Sequence, residues 1–245
     1  MSETEYTHDN PAHKWWGQSP TSMGTFNSCP LMFKEKYILK KHPFVESEAS
    51  RYGNRFHKAA EDRLLHDIPE PAEFLEFKPV FDAIRSLPGK LMAEAELATD
   101  RQWEPTPYRN WGAKELGCKI DVLSIDGDYA RIIDWKTGKR YDDPLQIDIN
   151  ALTVMANFPE VNRIRAKYVY TKTGEAGMQK DYYRSAEFVK SGNDENISRT
   201  RSFMQVNLTR MRIAFINDRF LPQRNGLCKA HCPVTSCYLN GNYSK

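Results

Sequence analysis

Residues 117–139 read GCKIDVLSIDGDYARIIDWKTGK, and this stretch decides the fold. Two runs rich in apolar residues flank Asp126-Gly127, a dipeptide typical of two-residue β-turns. We therefore predict a hairpin with strands at 117–125 and 129–135. The run RIIDW at 131–135 is largely apolar on both faces, which is typical of a strand in the centre of a sheet.

Two aspartates of this hairpin are expected to lie on one face. Counting outward from a turn at Asp126-Gly127 places Asp121 opposite Ile132 and diagonal to Asp134. Diagonal neighbours are roughly 7–8 Å apart, close enough for one divalent cation to bind both carboxylates. Lys136 shares this face. A solvent-facing ion pair is the alternative explanation, and a three-residue turn would move Asp121 to the opposite face.

Two carboxylates beside a lysine favour metal-assisted chemistry on a phosphate group. Hard oxygen ligands suit Mg²⁺ or Mn²⁺ and phosphoryl transfer. The metal would polarise a phosphate and lower the pKa of a bound water, while the ammonium group positions that water or stabilises the developing charge. The sequence contains neither a Walker A loop nor a Gly-rich dinucleotide fingerprint, which disfavours a nucleotide kinase or a dehydrogenase.

The same stretch resembles the core of the PD-(D/E)XK nuclease superfamily, in its RecB-like branch. That branch has a glycine and an aspartate on one strand and Asp-x-Lys-Thr-Gly at the end of the next. The matching positions are Gly117, Asp121, Asp134, Lys136, Thr137 and Gly138. Upstream, Gly53-x-x-x-His57 is similar to the helix that supplies a metal-binding histidine. Glu94 matches the acidic residue of a preceding strand, with Glu96 on the same face as its rival.

The resemblance implies an α/β fold with a restriction-endonuclease-like mixed central sheet flanked by helices. It also implies the site residues, namely Lys136, Asp121, Asp134, Glu94 and Gln146 as catalytic groups and His57, Glu94, Asp121 and Asp134 as ligands of one or two Mg²⁺ or Mn²⁺ ions. Lys136 would assist the attacking water. Gln146 begins the Gln-x-x-x-Tyr pattern of the branch, but Asn150 stands where the tyrosine belongs, so the role of that position is in doubt.

Four cysteines suggest a second metal site. They are Cys29, Cys228, Cys232 and Cys237. Three closely spaced thiols and one distant thiol suit iron-sulfur or zinc. Iron-sulfur nucleases of the RecB-like branch carry one cysteine before the core and three after it, which implies a 4Fe-4S cluster joining the N- and C-terminal segments. Their tail spacing is two residues then five, whereas here it is three then four. Zinc, with His231 as a substitute ligand, and ordinary reduced thiols therefore stay open, and Cys118 is assigned to packing.

The remaining sequence is divided by its hydrophobic periodicity. Helices are expected within 19–41 and at 47–65, 74–84, 144–157 and 195–220, and further strands at 92–99, 164–171 and 178–184. The last helix carries Phe203, Val206, Ile213, Ile216 and Phe220 on one apolar stripe. We predict a flexible segment at 1–18 and a single nuclease domain over 19–245.

Composition sets the broad class. The chain has 245 residues, is 40% hydrophobic and has a formal charge of +3, so it can form a sizeable core and is neither disordered nor collagen-like. No apolar run approaches the ~20 residues of a membrane span. Because the N-terminus is polar and lacks a secretory signal, we expect a cytoplasmic protein, in the host cytoplasm if phage-encoded.

The function expected from these features is that of a metal-dependent DNA exonuclease acting at DNA ends in recombination, repair or phage DNA processing. The alternatives are a structure-specific endonuclease and a non-catalytic DNA-binding protein. Single-stranded DNA or duplex ends would be the partner, and homo-oligomerisation is left open. Basic clusters at 34–42 and 199–212 would attract phosphates, and Trp15, Trp16 and Tyr108 are candidates for stacking on unpaired bases.

Overall fold

The computed structural model describes residues 15–243. Its helices are α1 (Pro20–Ser28), α2 (Pro30–Phe33, continued by a π-helical turn at Lys34–Ile38), α3 (Glu48–His66), α4 (Lys78–Arg85), α5 (Pro144–Asn157) and α6 (Ile197–Ile216). Its strands are β1 (Lys90–Thr99), β2 (Leu116–Asp126), β3 (Tyr129–Lys136), β4 (Arg163–Tyr170), β5 (Ala176–Tyr183) and β6 (Asp194–Asn196). Short 3₁₀ turns lie at Ala72–Phe77, Ala186–Phe188 and Gly226–Lys229.

The six strands form one sheet in sequence order. Strands β1, β2 and β3 are antiparallel, β3 and β4 are parallel, β4 and β5 are antiparallel, and β5 and β6 are parallel. Helix α5 lies between β3 and β4 in sequence, as a parallel connection requires. The expected α/β fold with a mixed central sheet flanked by helices is therefore confirmed.

The backbone divides into two compact units, and the assignment of 19–245 to one domain stays a prediction. The central unit, Val45–Ser202, contains the sheet with α3, α4 and α5. Helix α3 begins at a capping box in which Ser47 and Ser50 each accept from the other's backbone N–H. Its buried face packs in a core centred on Phe56 and Trp135, whose rings are 5.6 Å apart and edge-on.

The terminal unit contains Met1–Phe44 together with Phe203–Lys245. Residues 1–14 of the segment predicted to be flexible lie outside the described residues. Residues 15–18, the rest of that segment, are packed, because Gln18 is buried and the Trp16 ring stacks on Phe33 with ring centroids 6.0 Å apart. Trp15 meets Phe215 edge-on at 5.3 Å, so both tryptophans proposed to stack on bases contact aromatic rings of their own unit. Among residues 15–243, no helix is long and apolar enough to cross a membrane.

The hairpin turn differs from the predicted one by a single residue. Asp126 pairs with Tyr129, so the two-residue loop is Gly127-Asp128 rather than Asp126-Gly127. Gly127 is the first loop residue and has φ +58°, a left-handed conformation that glycine adopts without strain and that tight hairpin turns require. With this turn, the residue opposite Asp121 is Asp134 rather than Ile132. Because the partner moves by two residues, both aspartates keep their shared face.

Helix α6 turns a different stripe inward from the predicted one. Phe203, Val206, Ile213 and Ile216 are each more than half exposed. A second apolar stripe on the same helix is buried instead and consists of Met204, Leu208, Met211 and Phe215. Two apolar stripes of similar strength leave the choice to tertiary packing. Phe220 is buried as expected but lies beyond the helix, which ends at Ile216.

Candidate active site

Three elements of the central unit bring a histidine and two carboxylates together. His57 Nδ1, on α3, lies 3.2 Å from Glu94 Oε1 on β1 and 3.3 Å from Asp121 Oδ1 on β2. One ligand atom from each residue lies within 4.8 Å of the other two. Two carboxylates and an imidazole at this spacing fit a single divalent cation.

Glu94 reaches this position through an unusual backbone conformation. Its neighbours Ala93 and Ala95 pair with Val122 and Ile120, so Glu94 stands opposite Asp121, but its φ of +52° interrupts the ladder. A left-handed conformation at a non-glycine residue costs about 1–3 kcal/mol and is often found at functional sites.

Glu96, the rival of Glu94, lies outside this group. Its Oε2 is 3.5 Å from Arg109 Nε, whereas Glu94 is within contact distance of both His57 and Lys119. Glu94, and not Glu96, is therefore the glutamate of β1 in the group with His57 and Asp121 among the described residues, and its role as a metal ligand stays a prediction.

A second trio adjoins the first and is built on Asp134. Its Oδ1 lies 2.6 Å from Lys136 Nζ, and its Oδ2 accepts a hydrogen bond from Gln146 on α5. Lys136 Nζ in turn donates to Gln146 Oε1 at 2.5 Å. The Trp135 N–H donates to Asp121 Oδ2 at 2.7 Å, which joins the two trios. Asp134 is not within the 4.8 Å group, and its role as a fourth metal ligand stays a prediction.

Charge in the site is unevenly distributed. Burial, together with repulsion from Asp121, raises the pKa of Asp134 to about 7. Burial by itself would lower the pKa of His57, but hydrogen bonds to Asp121 and Glu94 raise it to about 10. For Glu94, burial acts to raise the pKa, and hydrogen bonds from His57 and Lys119 outweigh it and lower the pKa. Without a metal, a protonated His57 therefore supplies the positive charge that a bound cation would bring.

The two glycine-containing motifs of the sequence touch at one point. A Cβ atom added to Gly53 on α3 would lie 3.0 Å from Thr137 Oγ1, which follows β3. Glycine at position 53 thus lets α3 approach the end of β3 closely.

These observations coincide with the results of comparison with known proteins. The sequence profile of the PD-(D/E)XK nuclease superfamily matches residues 18–237. The chain belongs to this superfamily. No curated protein is significantly similar to it. Among solved structures, the crystal structure of SSO0001 matches with a TM-score of 0.46 and 12% identity, covering 92% of this chain and 87% of that one.

Membership in the superfamily implies a nuclease, with divalent metals such as Mg²⁺ or Mn²⁺ as cofactors and DNA as the substrate. The group of His57, Glu94 and Asp121 is the candidate site for such a metal.

One site neighbour was missed by the sequence analysis. Tyr168 on β4 pairs with Asp134 across the parallel ladder, and its fully buried ring lies 4.5 Å from Lys136 Nζ. Its hydroxyl donates to the Asp143 carbonyl at the start of α5. No local sequence signal identifies Tyr168, because the pairing of β4 with β3 is what places it beside Asp134. Asn150 is fully buried, and its amide has no hydrogen-bond partner among the described residues.

The cysteines predicted to bind the second metal all lie in the terminal unit. Cys29 and Cys237 are buried in a small core with Met32 and Val234, and Cys232 packs against it. Backbone N–H groups donate to sulfur at two of the four cysteines, from Gln223 to Cys29 at 3.5 Å and from Asn225 to Cys228 at 3.4 Å. None of the four is in a disulfide.

Cys118 lies apart from these cysteines. It is in β2 of the central unit, where its thiol is 2.8 Å from Thr153 Oγ1. That environment agrees with its assignment to packing.

Proposed function

We propose that this protein is a Mg²⁺- or Mn²⁺-dependent DNA exonuclease that hydrolyses phosphodiester bonds at DNA ends. The observation that carries the nuclease assignment is the convergence of His57, Glu94 and Asp121 beside the Asp134–Lys136 pair. The preference for ends rests on resemblance to the RecB-like branch, through Gly53-x-x-x-His57 and the order of the cysteines.

The residues divide the reaction between them. A divalent cation held by His57, Glu94 and Asp121 would polarise the scissile phosphate and lower the pKa of the attacking water. The Lys136 ammonium orients that water and stabilises the charge that develops on the phosphate. Water oxygen bonds to phosphorus, the ester P–O bond breaks, and the water's proton ends on the leaving alcohol.

Gln146 acts through its neighbours. It accepts from Lys136 and donates to Asp134, which fixes the separation between ammonium and carboxylate. We therefore assign Gln146 to positioning rather than to direct contact with the phosphate.

We further propose that the four cysteines hold a 4Fe-4S cluster, with zinc as the alternative. Support comes from their common location in the terminal unit and from the N–H···S hydrogen bonds to Cys29 and Cys228. Such hydrogen bonds are a regular means of stabilising and tuning iron-sulfur clusters. The role is structural, because phosphodiester hydrolysis needs no electron transfer.

Cleavage assays test the activity. Wild type and Asp134→Ala would be incubated with Mg²⁺ or Mn²⁺ and end-labelled linear duplex, single strands or covalently closed circles. Loss of linear DNA alone, abolished in the variant, is the expected result. Nicked circles would instead establish the endonuclease alternative. A wild type that shifts DNA on a gel but cuts none would leave the non-catalytic DNA-binding alternative.

Metal analysis tests the cluster. Protein purified without oxygen should contain iron and acid-labile sulfide and absorb visible light. Cys232→Ser should lose both, whereas Cys118→Ser, the matched control in the central unit, should keep them. Zinc in place of iron would assign the alternative metal, and the absence of both would rule out the metal site.

A further inference from the structure

The loop between β1 and β2, residues 100–115, presents aromatic and basic side chains beside the candidate active site. Trp111 is 60% exposed, and the Arg109 side chain is 81% exposed. Lys114 is buried, yet its Nζ contacts ring faces, at 3.8 Å from the Trp111 centroid and 4.2 Å from the Tyr108 centroid. Within the described residues, no carboxylate forms an ion pair with Lys114.

A buried ammonium without a carboxylate is costly, and burial lowers the pKa of Lys114 even though the nearby Glu96 acts to raise it. Cation–π contacts of this kind offset part of that cost and hold the rings in place. The loop backbone is ordered as well. The Lys114 N–H donates to the Asn110 carbonyl at 2.9 Å, and the Thr106 N–H donates to the Ala98 carbonyl at 3.2 Å.

The superfamily glycine at position 117 has a physical explanation in this loop. A Cβ atom there would lie 3.0 Å from Lys114 Cδ and 3.2 Å from Tyr108 Cε2. Any larger residue at 117 would push against the lysine stem and the tyrosine ring. The motif glycine therefore makes room for the aromatic and basic side chains that pack over β2.

The loop lies close to the metal-binding group. Arg109 Nε is 3.5 Å from Glu96 Oε2, and Glu96 is two residues, or about 7 Å, along β1 from Glu94. The loop is therefore within reach of a DNA strand bound at the group of His57, Glu94 and Asp121.

We propose that this loop binds an unpaired stretch of the substrate strand, with a base stacked on the Trp111 ring that Lys114 holds in place and a flanking phosphate attracted by the exposed Arg109. Stacking requires an accessible base face, which a paired base inside a duplex does not offer. The preferred substrate is then DNA with a single-stranded end. The proposal rests on the proposed function, because it places the loop along the path of the cleaved strand.

Fluorescence anisotropy tests the proposal without requiring cleavage. A labelled oligo-dT strand and a labelled blunt duplex would be titrated with protein in Ca²⁺, which replaces Mg²⁺ so that neither DNA is cut. Trp111→Ala should weaken oligo-dT binding by about 5- to 150-fold, the range expected for one stacked base. Binding of the blunt duplex should change less than twofold, and Trp111→Phe should restore most of the affinity.

Two further variants complete the design. Phe188→Ala, which removes another exposed aromatic ring of the central unit, should bind oligo-dT like the wild type. Arg109→Ala should weaken binding and reduce its salt dependence. Circular dichroism and thermal melting check that each variant is folded.

The possible failures point to different conclusions. Unchanged oligo-dT binding by Trp111→Ala, or an equal loss for the blunt duplex, would overturn the proposal while leaving the nuclease assignment intact. A wild type that binds oligo-dT through Trp111 but cuts no DNA would refute the nuclease and leave strand binding by the loop established.

Discussion

Replacing Asp134 by asparagine should stabilise the metal-free protein above neutral pH while abolishing cleavage. Asp134 is 1% exposed, and burial with repulsion from Asp121 raises its pKa from 3.8 to about 7. The folded state thus favours the protonated carboxyl. The resulting stabilisation is complete below about pH 4 and is lost as the pH rises through 7.

Raising the pKa of Asp134 from 3.8 to about 7 means that ionising this carboxyl costs about 4 kcal/mol more in the folded state than in the unfolded chain. Asparagine resembles the protonated carboxyl and never ionises. The variant should therefore exceed the wild type by up to about 4 kcal/mol at pH 8 and by up to about 2 kcal/mol at pH 5. These values are ceilings, because Lys136 and Gln146 contact two carboxylate oxygens and the amide supplies one.

Equilibrium urea unfolding in the presence of EDTA at both pH values measures the difference. Asp126→Asn, at the exposed end of β2, is the matched control and should shift stability by less than about 0.5 kcal/mol. Excess Mn²⁺ should stabilise the wild type more than Asp134→Asn if Asp134 contributes to metal binding. A stability gain for Asp134→Asn that is equal at pH 5 and pH 8, or no gain at all, would refute the argument.

Three further predictions concern the same site. Binding of Mn²⁺ at pH 8 should release about one proton, because the pKa of His57 is about 10 without metal and a metal-bound imidazole is neutral. Calorimetry in buffers of different ionisation enthalpy measures the released proton, and His57→Ala should abolish the release. Gly53→Ala should lower kcat several-fold because its Cβ would press on Thr137 Oγ1, and an unchanged rate would show that the close approach is unimportant. Tyr168→Leu should reduce kcat about tenfold with little change in KM, Tyr168→Phe should retain most activity, and neither change should matter in a Lys136→Met background.

The hairpin and the shared face of Asp121 and Asp134 were within reach of the sequence because their signals are local. The alternation of side chains and the spacing from Asp134 to Lys136 place both groups on one face whatever encloses them. The turn was predicted one residue too early, since Asp126-Gly127 and Gly127-Asp128 are both good turn dipeptides. The shared face survived because the error changed the partner of Asp121 by two residues.

Other features depend on contacts between elements distant in sequence. Glu94 lies beside His57 and Asp121 with a left-handed backbone, which no residue type signals. Tyr168 reaches Lys136 only because β4 pairs with β3 in one particular register. Either apolar stripe of α6 could have been the buried one, and only the tertiary structure decides between them.

The division of the terminal unit between both ends of the chain affects how the protein is made. Its first half, through Phe44, leaves the ribosome before the central unit, and its second half begins only at Phe203. At ordinary elongation rates, this delay lasts roughly 10–30 s. During that time Phe26 and Phe33, which are buried in the finished unit, lack their C-terminal partner Phe220. The nascent chain should therefore depend on chaperones at this stage, and slower synthesis at low temperature should not by itself improve the yield of folded protein.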